Sequence, residues 1–243
     1  PSPAIAAEST NTWSLVRVTL SPSVAHAAGL TFIAWSRRPN GPRKSESRFR
    51  IAEALEASKG DAKEIVTLYR QVWIDEPLSA WAKRAEERLK LLAPKTYDTL
   101  TAAEYITLGK VLFDAQRNPE SEAAFDAALA DKTSSAADKC VAAYHKAQSR
   151  FKARDRKAAG PLFDDAAARC RAAGNADLEI KSAYQAGRAY AFVGDRKTAI
   201  ARYQAAQRVD PAHSYTDDAV LREAEEYADL GDDEAVRTTL ARI

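Results

Sequence analysis

Small residues recur at a nearly constant interval through the second half of the sequence, and this repeat limits the fold more than any other feature. Gly109, Ala147, Gly187 and Ala224 lie 38, 40 and 37 residues apart. A small side chain lets two helices approach closely, and apolar residues that follow at helical spacing can fill the gap beside it. An interval of this size therefore predicts a row of similar helical hairpins that stack on one another.

The clearest copy of the repeat spans residues 181–211, and it resembles the tetratricopeptide repeat. Gly187 and Tyr190 lie three apart on a first helix, Gly194 starts the turn, and Pro211 ends the second helix because proline cannot continue the hydrogen-bond ladder. The packing stripe of that second helix consists of Ala199, Tyr203 and Ala206. The resemblance implies an all-α fold, a right-handed α-solenoid of tetratricopeptide-like hairpins. The usual period is about 34 residues, so the helices or loops of this chain are slightly long.

We expect three regions along the chain. Residues 97–243 would hold four tetratricopeptide-like repeats, and residues 45–96 would form lead-in helices over 45–58, 61–73 and 78–92. Asp61 is the expected N-cap of the second lead-in helix. Residues 1–44 contain several helix breakers and form a poorly defined N-terminal segment. The sequence stops within the second helix of the fourth repeat, so we expect the repeat array to be truncated at its C terminus.

Composition and charge argue against two classes of partner. The formal net charge is only +2, acids and bases are interspersed, and residues 37–44 alone approach a basic stripe, so we predict no nucleic-acid binding. No apolar run reaches the roughly 18–20 residues of a membrane span, so we predict no integral membrane segment.

In tetratricopeptide folds the first helix of each hairpin lines a concave surface, and counting from the small anchors selects candidate binding residues. The predicted set is Lys110, Phe113, Tyr144, Gln148, Lys181, Tyr184 and Arg188, with Leu221 and Glu225 in the last repeat. Aromatic and cationic side chains together can hold an anionic or amphipathic ligand. The alternative is an ordinary solvated face, and the paired Lys/Asn pattern by which chaperone-binding members hold peptide C termini is not reproduced.

The two cysteines fall within one repeat. Cys140 begins a predicted first helix and Cys170 ends the second helix of the same hairpin, which brings the two ends side by side. A disulfide closing this loop would stabilise the fold by roughly 3–4 kcal/mol in the chain-entropy model. Two unpaired, half-buried thiols are the alternative.

Neither a metal site nor a cofactor site is predicted. His26, His145 and His213 are far apart in sequence and lack partners at ligand spacing, so each is expected on the surface or on a helix face. The sequence has no Gly-rich phosphate loop, no Gly-x-Ser-x-Gly and no His-Glu-x-x-His motif.

A second resemblance concerns the cell wall. Residues 66–92, 108–129 and 214–240 resemble the superhelical, non-catalytic region of bacterial soluble lytic transglycosylases. Members of that family cleave peptidoglycan glycan strands with one glutamate, in a Glu-Ser-x-Phe context within a separate lysozyme-like domain. Residues 46–49 match those four letters, but the Gly- and Met-containing stretch that follows in the family is missing. We therefore predict no catalytic residue in this chain and interpret Glu46 as a residue in the first turn of a helix.

Two functions follow as expectations. The resemblance to lytic transglycosylases implies a non-catalytic superhelical domain that positions glycan strands or partner proteins in the periplasm or cell envelope. The alternative is a stand-alone tetratricopeptide adaptor that binds a protein or peptide partner in the cell envelope. Whether a catalytic domain follows residue 243 stays open.

Overall fold

A computed structural model describes residues 44–243, and in that range the chain is made of α-helices joined by turns, without a β-strand. The eleven helices of the described range are α1 (Lys44–Ala57), α2 (Ala62–Asp75), α3 (Ala80–Leu92), α4 (Ala102–Asp114), α5 (Asn118–Ala130), α6 (Ala136–Lys152), α7 (Arg156–Ala172), α8 (Ala176–Phe192), α9 (Arg196–Val209), α10 (Ser214–Asp229) and α11 (Asp233–Leu240). The expected N-terminal segment lies outside the described residues except for Lys44, which begins α1.

Helix starts follow from capping residues in the sequence. The Asp61 carboxylate accepts hydrogen bonds from the backbone N–H groups of Lys63 and Glu64, which confirms the predicted N-cap of α2. Thr101 and Ser135 form capping boxes at the starts of α4 and α6. These contacts satisfy N–H groups that have no partner inside the helix, so each start is encoded locally.

Four of the turns between the later helices share one conformation. Gly174, Gly194 and Gly231 have φ values of 69°, 83° and 75°, and each directly precedes the Asn or Asp that caps the next helix. In the α6–α7 turn the same left-handed position holds Arg154, with φ 68°. The left-handed residue lets the next N–H return to a carbonyl of the last helical turn, which ends one helix and immediately begins another.

Consecutive helices pack as antiparallel hairpins, and the hairpins stack. The first helices α2, α4, α6, α8 and α10 each pack against the next one in the series. The second helices α5, α7 and α9 do not pack backbone against backbone, although Arg202 of α9 reaches Asp164 of α7 in an ion pair. We call the continuous surface of these five first helices the inner wall. This arrangement confirms the predicted all-α solenoid of helical hairpins.

The small anchor residues lie where the sequence places them, against a neighbouring helix. A Cβ atom built on Gly109 would approach the Phe125 ring to 2.6 Å, and one on Gly187 would approach the Tyr203 ring to 2.5 Å. Ala147 and Ala224 are also buried. Glycine is favoured at the first two positions because the ring of the partner helix already occupies the space of a methyl group.

The regular stack is interrupted once, between α3 and α4. These two helices do not pack against each other, although every other pair of consecutive described helices does. Helix α1 instead contacts α3, so that α1, α2 and α3 form a small bundle with its own core. The bundle joins the following stack through a contact between α2 and α4, where Arg70 binds Glu104.

Candidate functional site: a pocket at the α6–α7 turn

A cavity of about 330 Å³ opens beside the inner wall, near the C-terminal ends of α4, α6 and α8. Its lining consists of three phenylalanines, two glutamines and four cations: Phe113, Phe151, Phe163, Gln148, Gln185, Lys152, Arg154, Arg156 and Arg188. The structure thereby brings together three of the predicted binding residues, which are Phe113, Gln148 and Arg188. We call this cavity the α6–α7 pocket.

Three of the four cations of the α6–α7 pocket, Lys152, Arg156 and Arg188, lie over aromatic rings. The Arg156 guanidinium carbon is 3.7 Å from the centre of the Phe151 ring and 5.0 Å from that of Phe192. The Lys152 ammonium lies 3.9 Å from the Phe113 ring centre and donates a hydrogen bond of 2.9 Å to the Phe113 carbonyl. Cation–π contacts hold these side chains in place while leaving their positive charge uncompensated.

Carboxylates are missing from the pocket lining. Within residues 44–243, Lys152, Arg154, Arg156 and Arg188 form no ion pair with a carboxylate. The nearest acid in the sequence, Asp155, caps α7 through the Ala158 N–H and lies 3.5 Å from Arg150. The pocket therefore has a positive potential that its own side chains do not neutralise.

Arg156 is the pocket cation whose positive charge and hydrogen-bond donors are least satisfied. Its Nε and Nη1 atoms are buried and have no hydrogen-bond acceptor among the residues that the structure describes. Burial lowers the pKa of Arg156, and the neighbouring charges of Arg188 and Arg154 lower it further. A buried donor without an acceptor is costly, so the N–H groups of these two nitrogens favour an acceptor that enters the pocket.

His145 fixes one side of the α6–α7 pocket, a role that the sequence did not indicate. Its ring stacks on Phe125 at 5.6 Å, and burial lowers its pKa to about 4. The neutral ring donates from Nδ1 to the Gln148 Oε1 atom at 3.1 Å, since that oxygen can only accept. Gln148 then donates from Nε2 to the Tyr144 hydroxyl at 2.8 Å, which holds its amide in one orientation.

The remaining predicted residues lie elsewhere on the inner wall. Lys110 is exposed one turn before Phe113. Tyr144 and Tyr184 are only 7% exposed, which corrects their assignment to an open binding face. Their rings reach across the hairpin gap to Phe163 and Tyr203, because the small anchors leave space that only an aromatic can fill.

Three other predicted residues have partners or stand apart from the pocket. Lys181 pairs with Asp177 at 2.8 Å, Glu225 pairs with Arg222 at 2.6 Å, and Leu221 is exposed on α10. These positions belong to the inner wall, but the α6–α7 pocket does not include them.

Sequence reasoning missed most of the pocket, although a signal was present. Residues 150–157 contain five cations, which is a denser basic run than the one noted at 37–44. Because the run crosses the turn between α6 and α7, counting along first helices alone passes over it. The missed lining residues are Phe151, Lys152, Arg154, Arg156, Phe163 and Gln185.

The two cysteines tie together the hairpin that carries the pocket. A disulfide joins Cys140 in α6 to Cys170 in α7, and both residues are fully buried. The bond lies at the end of the hairpin opposite the α6–α7 turn, so it holds the open end of the pair closed.

Residues 46–49, the four letters shared with lytic transglycosylases, lie in the first half of α1. Phe49 is buried and packs against Tyr69 at 5.3 Å and Trp81 at 5.1 Å. The match therefore falls on a helix whose apolar positions serve the bundle core.

Two other kinds of feature are absent from residues 44–243. In that range no three His, Cys, Asp or Glu side chains are grouped so as to hold a metal ion. Within the same range none of the helices combines the length and the apolar character of a membrane span.

Comparisons with known proteins support the fold. No protein-family profile and no curated protein sequence matches this chain. Among solved structures, BtubC (BKLC) from P. vanneervenii superposes with a TM-score of 0.54 at 14% identity, covering 92% of this chain and 89% of that one. MamA has a TM-score of 0.50 at 16% identity over 77% of this chain and 89% of that one. PilF from Pseudomonas aeruginosa has a TM-score of 0.50 at 13% identity over 89% of each chain.

These likenesses concern the fold alone, because identities of 13–16% do not carry residue roles from one protein to another. None of the comparisons supports the resemblance to lytic transglycosylases, which therefore stays a prediction.

Proposed function

We propose that this chain is an adaptor of the cell envelope that binds a segment of a partner protein along its inner wall. The observation that carries the proposal is the set of first helices lying side by side, with an uncompensated cationic and aromatic pocket at their ends. Stacked hairpins of this kind present an extended surface, and a partner segment can lie across several repeats at once.

The chemistry of the α6–α7 pocket suits binding better than catalysis. Its lining contains guanidinium, ammonium, amide and phenyl groups, but no carboxylate, thiol, imidazole or hydroxyl. Bond cleavage at neutral pH usually requires a nucleophile or a general acid or base with a matched pKa. Aromatic and arginine side chains are the groups that dominate binding energy at protein interfaces.

The Cys140–Cys170 disulfide supports an oxidising location. Disulfides persist outside the cytosol, in the periplasm or on the cell surface, whereas cytosolic thiols are kept reduced. A place in the periplasm or cell envelope agrees with this chemistry.

Photo-crosslinking in the native host tests the adaptor function. A photoreactive amino acid would replace Lys110 or Gln185 on the inner wall, and Lys197 on the second helix α9 would serve as the matched outer position. We expect the two inner positions to capture the same partner protein and the outer position not to capture it. Equal labelling at all three positions, or none at the inner wall, would contradict the proposal.

Binding of glycan strands is the second candidate, based on the transglycosylase resemblance of residues 66–92, 108–129 and 214–240. It uses the same inner wall but a different ligand. Co-sedimentation with purified peptidoglycan separates the two: retention in the pellet without strand cleavage supports glycan binding, and retention in the supernatant supports the protein adaptor.

A further inference from the structure

We propose that the α6–α7 pocket binds an acidic side chain from within a partner's chain, with Arg156 and Arg188 as the cations that contact the carboxylate. This inference rests on the proposed adaptor function and specifies the chemistry of the partner segment. It concerns one site, whereas the adaptor function concerns the whole inner wall.

The first argument is charge. Elsewhere in the repeats the arginines that bridge helices have carboxylate partners, such as Arg202 with Asp164 and Arg196 with Glu226. At the α6–α7 pocket four cations gather without one. Since like charges close together repel, an arrangement that serves only folding would be expected to include an acid here. A ligand with a carboxylate would supply the negative charge that the pocket lacks.

The second argument is hydrogen bonding. Within residues 44–243, two buried nitrogens of Arg156 have no acceptor, and Arg188 donates only to the side-chain oxygen of Gln185, at 3.2 Å. A carboxylate has two oxygens and matches the fork of a guanidinium. A rotation of the Arg156 side chain that uncovers these nitrogens would let a bound Asp or Glu accept from them and neutralise the charge beside Arg188.

The third argument concerns the residues on either side of the acid. Phe151 and Phe113 line the pocket, and Phe192 and Val193 at the end of α8 are 69% and 48% exposed. Phe192 also contacts Arg156, so apolar surface continues directly from the charged site. A segment that passes through the pocket would therefore place its acidic residue next to an apolar one. This favours an internal segment over a free carboxyl terminus.

A peptide array tests the inference on the intact protein. The probes are random twelve-residue peptides, acetylated and amidated so that no free terminus is present, and their binding is then measured by fluorescence anisotropy. We expect enrichment of Asp or Glu beside Leu, Phe or Trp, and at least ten-fold weaker binding of the selected peptides by Arg156→Gln and by Arg188→Gln. Replacing the acid of each peptide by its amide should weaken binding similarly. Arg156→Lys, which keeps the charge but loses the fork, should lie in between.

Controls separate binding from folding. Lys197→Gln removes one positive charge outside the pocket and should bind like the parent protein. Arg156→Gln should retain the melting temperature within a few degrees, because within the described residues no ion pair is lost, only the cation–π contacts with Phe151 and Phe192. A Gln variant that melts much lower would identify Arg156 as a structural residue and overturn the inference.

The other outcomes distinguish the inference from the function on which it rests. Peptides selected without acidic residues, with binding unaffected by the two arginine variants, would overturn the pocket's role and leave the adaptor function standing. Absence of peptide binding together with absence of inner-wall crosslinks would overturn both. Preference for a free C terminus over the amide, or arginine-dependent sedimentation with peptidoglycan, would assign the carboxylate to another source and overturn the internal-segment proposal.

Discussion

The core of the α1–α3 bundle and the core of the helical stack are built from different side chains. Of the eight residues in the bundle core two are alanine, and the others are large: Phe49, Leu55, Ile65, Tyr69, Val72 and Leu89. In the core around α6, α7 and α8, six of eight are alanine, and Tyr144 and Phe163 are the only large members. The bundle is thus filled by many large side chains and the stack by a few rings among small ones.

This difference in core composition explains why α1, α2 and α3 form a self-contained bundle, whereas the hairpins from α4 onward stack in series. Large side chains on three helices converge on one centre, so α1 contacts α3 and the bundle is complete. Alanine and glycine instead let helix backbones approach on both sides, and a single ring fills the remaining gap. A hairpin built in this way can accept another like it, and the stack continues from α4 to α11.

The largest expected effect would come from removing the disulfide, which only the stack contains. Replacing Cys140 and Cys170 together by alanine should lower the free energy of unfolding by roughly 3–4 kcal/mol in the chain-entropy model. Hydrogen exchange should show lost protection in α6 to α9 and unchanged protection in α1 to α3. Equal loss in both regions would show that the bundle and the stack unfold as one unit.

A pH effect of similar size should also be confined to the stack. The pKa of His145 is held at about 4, below its ordinary 6.5, so the native state binds fewer protons than the unfolded state between these values. Stability from this group is complete above pH 6.5 and is lost as the pH falls towards 4, by up to about 3 kcal/mol.

Urea unfolding across this pH range provides the measurement. His145→Phe keeps an aromatic ring beside Phe125, but it removes the titrating group, so its stability should depend less on pH between 6.5 and 4. A profile as steep as that of the parent protein would assign the pH dependence to other groups.

A smaller effect is expected where the two regions meet. Arg70 binds Glu104 through Nε at 2.5 Å and through Nη2 at 3.0 Å, and it also donates to loop carbonyls, including that of Thr96 at 3.2 Å. Arg70→Met should cost about 2 kcal/mol, because charge-assisted hydrogen bonds across the joint are lost.

The shape of the unfolding curve sharpens this prediction. Since α3 and α4 do not pack, loss of Arg70 should separate a bundle transition from a stack transition in calorimetry. Glu104→Gln, alone and combined with Arg70→Met, gives the coupling energy of the pair. A single sharp transition in the double variant would show that other contacts couple the regions.

The smallest expected effect tests the ring-on-glycine contact. Gly187→Ala gains about 1 kcal/mol in helix propensity but forces a methyl group against Tyr203, and such overpacking typically costs 1–3 kcal/mol. The net loss should be about 1 kcal/mol by urea unfolding. Ala147→Gly, at the matching position of the preceding hairpin, should also destabilise, because there the methyl group is buried and in use. A more stable Gly187→Ala variant would contradict the proposed contact.

Much of the fold could be read from local patterns. The interval between Gly109, Ala147 and Gly187 predicted hairpins packed through those residues, and Asp61 predicted a helix start that the structure contains. These features depend on neighbours within a few turns, so a sequence pattern is enough to predict them.

The candidate site could be predicted only in part. Counting along first helices found Phe113, Gln148 and Arg188, but it placed Tyr144 and Tyr184 on an open face, although both are buried. Whether a ring on the inner wall points outward or into the hairpin gap depends on the size of residues on the partner helix. Spacing on one helix does not contain that information.

Spacing in the sequence by itself determined that the described part of the chain forms stacked helical hairpins, because small anchors, caps and turn residues act over short distances. Tertiary structure alone decided the closure of α1 against α3 and the gathering of Lys152, Arg156 and Arg188 around one cavity. Those features join residues of separate helices, and their charges interact only after packing has brought them together. The physical reason is the distance over which each effect acts. Capping and helical periodicity depend on residues close in sequence, whereas burial and electrostatic potential depend on how separate helices pack together.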